Sequence, residues 1–444
     1  MPTTIDREQS LVARFVQAFE MNDGHTLNGT NARLHGLRKD AIGHVARLGF
    51  PGRKDEAWKY TNIGKVLKRA YALPMGHTGG DATRAEVDRL RVPGLDAYEL
   101  VLADGRFRED LSALGGLPEG VFVTGFARAA EVHADLVDAH AGQYAKASEE
   151  VFTALNTAFA QDGAFVYVPE NVVLDRPIHV MHLVRGEDTA TMIQPRLLIV
   201  AERGAQLRLV QTSEALGANP VFLNAVTEVY VGHSAHVDLY EIQDDHAHAS
   251  AVNTLHAYQA GPSVFRTSTF TFSGEVIRNN VTVHPDAEGC EAHLYGLFLG
   301  DGAMHVDNHT LVDHAVPACF SNELYKGVLD DRATGVFNGK VFVRQDAQQT
   351  NAYQSNKSIL LSETAQMYSK PELEIYADDV QCSHGATTGQ LDREGLFYLR
   401  SRGLSEAQAR ALMLTAFAGD VLETVRLPAL RDHLDALVAA RFGA

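Results

Sequence analysis

The chain has 444 residues, 45% of them hydrophobic, with 39 Lys+Arg against 56 Asp+Glu and a formal net charge of −17. That apolar content supports a folded core and excludes an intrinsically disordered chain, and the length corresponds to two or three units of ~100–200 residues. The acidic balance argues against a general binder of nucleic acid or of an anionic membrane surface, because phosphate attracts positive protein.

The three cysteines, Cys290, Cys319 and Cys382, are far apart in the sequence and odd in number. A secreted disulfide framework is therefore not expected. Three scattered thiols also fall short of the four Cys ligands of an ordinary iron–sulfur cluster, so any cluster chemistry needs His, carboxylate or a partner's ligands. The N-terminus lacks a basic start followed by an apolar run, and no stretch of ~18 apolar residues occurs. The expectation is a cytoplasmic protein with no membrane span.

In chain order, Leu11, Val12, Phe15, Val16 and Phe19 recur at helical spacing, and Leu34, Leu37, Ile42, Val45 and Leu48 mark a second helix that Pro51-Gly52 breaks. His77-Thr78-Gly79-Gly80 reads as a loop. A further helix is expected from about Ala145 to Ala160. From Ala164 to about Gly389 the pattern changes to short runs that alternate apolar and polar, the signature of strands. A small residue followed by alternating apolar positions recurs at Ala205, Ala235, Ser263, Ala292, Ala333 and Ala365, roughly every 30 residues, which is a solenoid period. Strands alone at that period fit a parallel β-helix, with a jelly roll or sandwich as the competing architecture. Helical periodicity returns after Asp392. Ser405 and Gln408 form a capping box, Gly419 is expected to end that helix, and Pro428 suits the first turn of the next. The expected organisation is a mixed helical region over 1–160, a mainly β core over 161–390 and a helical region over 391–444.

Enzyme motifs are scarce. Gly335 to Lys340 has the wrong spacing for a phosphate loop and sits among strands, where the helix that such a loop requires is missing. His305, Asp307 and His309 would share one face of a strand, with His314 and Asp313 nearby. They read either as a divalent-metal cluster or as a ladder of stacked polar residues, and their spacing matches no named metal motif. Cys382 and His384 point the same way on an extended segment. Thiolate and imidazole suit iron or zinc, and an imidazolium lowers a neighbouring thiol pKa; the competing reading is a packed Cys beside a hydrogen-bonded His. Asp378 and Asp379 are adjacent and face opposite sides, so they are not expected to form an acid–base dyad.

Several segments together resemble the SufB/SufD family of iron–sulfur cluster assembly proteins. They are Glu56-Ala57-Trp58-Lys59-Tyr60-Thr61, Ala347 to Asn356, Lys370 to Val380, Cys382-Ser383-His384-Gly385-Ala386-Thr387 and Leu396 to Gly403. The tryptophan element, and the absence of any cysteine after Cys382, are similar to the SufD branch rather than the SufB branch. The resemblance implies a right-handed parallel β-helix between N- and C-terminal helical regions. It also implies a non-catalytic scaffold that pairs with a SufB-like subunit. A SufC ABC ATPase would dock on the C-terminal helices, around Ser405–Gly419, and supply ATP hydrolysis. His384, with Cys382 beside it, would lie at the subunit interface where the nascent cluster forms, and His384 would serve as a metal ligand shared with the partner. A reduced flavin is associated with the complex in this family. An isolated chain would homodimerise through its exposed last coils. The alternatives are a SufB-like paralogue and a carbohydrate-active β-helix enzyme, for which Asp330, Asp331, Asp378 and Asp379 are the candidate carboxylates.

Overall fold

The computed structural model describes residues 7–22, 32–73, 82–185, 189–245 and 248–443. The loop expected at His77–Gly80 lies outside them.

Alternating strands build the core. Among the described residues, two ten-stranded sheets face each other, and from Gln206–Leu216 to Gln381–Gly389 successive strands alternate between them. Each strand pairs in parallel with the strand two places on: His236 lies beside Gln206 and Val264, and Phe320 beside Glu291 and Asn351. The result is a parallel β-solenoid of about eight turns. Inward residues such as Leu207, Val237, Phe265, Ala292 and Leu294 are buried, and outward ones such as His236 and Glu291 are exposed. The sequence repeat is thereby refined. Ala205, Ala235 and Ser263 stack in one column, Ala292 stacks on Phe265, and Ala333 and Ala365 precede strands of the opposite sheet. Both sheets alternate with period two and return at the same interval, so the repeat by itself does not separate them.

The N-terminal segment closes the other end. Tyr98–Ala103 adds in parallel to Ile178–Arg185, so the first sheet begins well before Ala164. The helices Arg7–Asn22 and Ala32–Leu48 pack with Val151–Phe159 over the second sheet, burying Phe15, Phe19, Trp58, Phe152 and Phe159 together. The helix expected from Ala145 starts only at Val151, because Glu150 is its N-cap and accepts from the Thr153 N–H at 2.6 Å. At the other end, Asp392 caps Arg393–Ser401, the Ser405–Gln408 capping box starts Glu406–Leu422, and Pro428 opens Pro428–Phe442. Gly419 does not end its helix. The chain stays helical to Leu422 because Ala418, Val421 and Leu422 are buried against the strands beneath.

The glutamate–tryptophan–threonine segment is a clip onto the second sheet. Trp58 packs 5.1 Å from Phe152 with the Arg278 guanidinium 3.7 Å above its ring. Arg278 also donates to the Ala57 carbonyl at 2.7 Å, and Tyr60 stacks on Tyr368 at 4.4 Å.

Two glycines fit neighbouring coils together. Gly296 lies in register with Tyr325, and Phe298 with Gly327; a Cβ on either glycine would overlap the opposing ring. Gly327→Ala is expected to lower stability by about 1–3 kcal/mol through overpacking, measured by denaturant unfolding. Trp58→Ala is expected to cost about 3–5 kcal/mol by the same measurement, through the lost aromatic contacts and the stranded Arg278.

Candidate functional site

The solenoid ends in two open strands. Gln381–Gly389 is the last strand of the first sheet and Gln366–Ile375 the last of the second, so each has one sheet neighbour. Cys382 lies in register with Ala352 and His384 with Gln354. Ala352 and Gln354 are buried on the inward face, so Cys382 and His384 sit on that face at the mouth of the final coil. The prediction that they share a side agrees with this register. His384 is exposed and Cys382 half-buried.

The thiol is not activated. Cys382 packs against Val341, Val343, Ala347, Ala352 and Ala377, and burial pushes its pKa up against a hydrogen bond from the Ala352 backbone. The expected lowering by a neighbouring imidazolium is thus reversed, because an apolar pocket disfavours the thiolate. Of the two residues, His384 is the accessible donor.

A polar line runs inward beneath His384. Gln354 Nε2 donates to Glu323 Oε1 at 3.3 Å, and Thr310 Oγ1 donates to Glu323 Oε2. Gln354 Oε1 is buried without a hydrogen-bond partner. Glu323 is fully buried, and burial pushes its pKa up to about 7 against the hydrogen bonds from Thr310 and Gln354. Sequence reasoning missed this carboxyl. Glu323 looks like any polar residue in an alternating strand, and its one signal was its place on the inward parity of that strand.

The histidine cluster divides. His305, Asp307 and His309 share the outer face, as expected, whereas His314 points inward, fully buried, with Nε2 2.9 Å from Ser321 Oγ. Asp307 Oδ2 accepts from Arg278 at 2.7 Å and from Thr61 Oγ1, and Oδ1 lies 2.9 Å from His309 Nε2. His305 Nε2 is 2.8 Å from Thr61 Oγ1. Burial works to raise the Asp307 pKa, but Arg278 and the bonds from His309 and Thr61 win and hold it well below the usual carboxylate range. The cluster anchors the N-terminal clip. Among the described residues no group of three or more His, Cys, Asp or Glu is placed to hold a metal ion.

A groove of about 1090 Å³ runs along the outer face of the second sheet, lined by Tyr144, Glu150, His256, His284, His309 and Arg344 among others. Its charges are paired in part: Asp313 binds Arg344 at 2.7 Å and lies 3.5 Å from His284 Nδ1. The remaining candidates do not converge. Asp330 and Asp331 occupy the turn leading from the first sheet to the second, and Asp378 and Asp379 the turn leading back. The two pairs therefore lie at opposite edges of the coil and do not form the shared carboxylate groove of a glycosidase. Gly335 to Lys340 lies within the strand Thr334–Val343, which bears out the rejection of a phosphate loop.

A raised Glu pKa has a defined pH consequence. The folded state holds the Glu323 proton up to about pH 7, whereas the unfolded chain releases it near pH 4. Its contribution to stability is therefore complete below the unfolded value and is lost as pH rises through 7. Glu323→Gln should stabilise the protein at pH 8 by about 2 kcal/mol relative to its effect at pH 5, read from denaturant curves at both pH values.

Comparison with known proteins agrees with this architecture. Residues 182–417 match the family described as "SUF system FeS cluster assembly, SufBD core domain", and residues 9–180 the "SufBD protein N-terminal region". A SufBD family iron–sulfur cluster assembly protein of Synechocystis is 34% identical over 91% of this chain and 90% of its own length. The iron–sulfur cluster assembly protein SufD of Escherichia coli is 30% identical over 89% of this chain and 90% of its own, and that of Bacillus subtilis 28% over 92% and 93%. With both halves matched in order and the relatives covered almost end to end, the chain belongs to the SufBD family of iron–sulfur cluster assembly proteins.

Proposed function

We propose that this chain is the SufD-like, non-catalytic subunit of a cluster-assembly scaffold, and that the open last coil carrying His384 is the surface it offers to a SufB-like partner. The single observation that carries the reading is the position of His384: exposed, inward-facing and on the terminal strand, where a second subunit would complete the sheet. In this reading His384 supplies one ligand to a nascent cluster. The cluster is cargo, and its remaining ligands come from the partner, because the half-buried Cys382 resists ionisation. Cys382 then packs the end of the core rather than binding iron. Reduced flavin belongs to the assembled complex in this reading.

The C-terminal helices are the proposed docking surface for an ABC-type ATPase. The helix Arg393–Ser401 buries none of its residues, and its Phe397 and Tyr398 are 74% and 56% exposed. Aromatic side chains left in water on a capped helix fit a surface covered by another subunit. In the absence of a SufB-like partner, the same open strands favour a homodimer.

His384→Ala should leave the far-UV circular dichroism and unfolding midpoint unchanged while lowering the activity of iron–sulfur enzymes in cells that depend on this chain at least several-fold. Cys382→Ala should have a much smaller effect. Unimpaired enzyme activity in the His384 variant would overturn the assigned role. Phe397→Ala with Tyr398→Ala should reduce co-purification of the ATPase without lowering the chain's own thermal stability.

A further inference from the structure

Cys290 and Cys319 are separated by a full coil in the sequence and are neighbours in space. Each immediately precedes a strand, Glu291–Gly300 and Phe320–Leu329, and those strands begin in register, Glu291 beside Phe320. The Phe320 N–H donates to the Cys290 carbonyl at 2.9 Å, so the two cysteines occupy consecutive rungs of one column. Ser263 lies below them and Thr350 above. Adjacent rungs of a parallel stack are roughly 4.8 Å apart, within the roughly 4.4–6.8 Å between Cα atoms that a disulfide spans.

Both side chains are buried, at 0% and 1% exposure, and both are free thiols. Cys290 Sγ donates to the Gly261 carbonyl at 3.1 Å, and Cys319 Sγ to that of Ala287 at 3.3 Å. The two thiols influence each other: Cys319 favours ionisation of Cys290, and the group that keeps the proton is pushed up. The cover over them is thin. Gly289 and Ala318, the residues immediately before the two cysteines, are exposed and in the left-handed region at φ 78° and 56°. Exposed turns of this kind are where a fold opens locally.

We propose that Cys290 and Cys319 form a peroxide-reactive dithiol that closes to a disulfide linking two successive coils. The Cys290 thiolate attacks one peroxide oxygen. The O–O bond breaks, hydroxide leaves and takes up the thiol proton as water, and Cys290 becomes a sulfenic acid. The Cys319 sulfur then attacks the Cys290 sulfur, forming the S–S bond and expelling the sulfenic hydroxyl, which leaves as a second water with the Cys319 proton. The two thiols lose two electrons and two protons; one peroxide becomes two waters. Cys382, at the mouth two rungs further on, lies outside this pair and has no thiol in the neighbouring coil.

The test exposes the folded full-length chain to hydrogen peroxide, alkylates the remaining thiols after unfolding and maps peptides by mass spectrometry. The expected product is a Cys290–Cys319 crosslink, two hydrogens lighter, that dithiothreitol reverses. In Cys319→Ser, dimedone should trap a sulfenic acid on Cys290, and in Cys290→Ser no crosslink should form. Circular dichroism on each variant confirms that it is folded. Recovery of both cysteines fully alkylated while Cys382 is oxidised would overturn the proposal. So would a crosslink that forms as readily in urea as in the folded chain, since the register would then play no part.

Discussion

The in-register hydrogen bonding of one coil onto the next governs this molecule. Each parallel strand satisfies its backbone on two neighbours, and each coil buries its inner face only because another coil is stacked beyond it. A stack built this way must end. At the N-terminal end the short strand Tyr98–Ala103 and the helices over the second sheet cover the first coils. At the other end the strands Gln366–Ile375 and Gln381–Gly389 are left open, and the residues with ligand chemistry sit there. The proposed function rests on the same constraint: among the described residues no strand stacks on the last coil, so its edge is open to another subunit.

The same register explains side chains that would otherwise look misplaced. Rings and glycines alternate between coils, so that Tyr325 lies over Gly296 and Phe298 beneath Gly327. The His305–Asp307–His309 cluster on the outside anchors the N-terminal clip, where Asp307 joins Arg278, His309 and Thr61. A buried ion pair contributes little by itself once desolvation is counted. This one fixes where the clip must lie, and Trp58 supplies the apolar area that makes the docking favourable. The inward line of Thr310, Glu323 and Gln354 ties the two sheets together across the core. It places a nearly neutral-titrating carboxyl two coils below His384, a position where burial alone would select an apolar residue.

Much of this was legible in the sequence, and for stated reasons. Helix caps are local, so the Ser405–Gln408 box and Pro428 were read at the correct residues. Period-two alternation and the repeat near 30 residues express the pleat and the coil, so the solenoid was readable too. The shared face of Cys382 and His384 followed from strand geometry alone. Gly419 misled because burial of Val421 and Leu422 outweighs one residue's propensity, which no local pattern records.

What remained hidden depends on turn lengths. The coil from Val264 to Glu291 is shorter than the coil from Phe320 to Asn351, and such small differences decide which residues stack. Only the folded register places Cys290 against Cys319, residues that in the sequence are simply distant. Only tertiary packing lays Trp58 under Arg278 and puts Cys382 in an apolar pocket that suppresses its thiolate. The sequence by itself determined the kind of fold, its period and the segment at its open end. The tertiary structure decided which side chains meet across coils, because a meeting between residues a whole coil apart is set by the summed geometry of every turn between them.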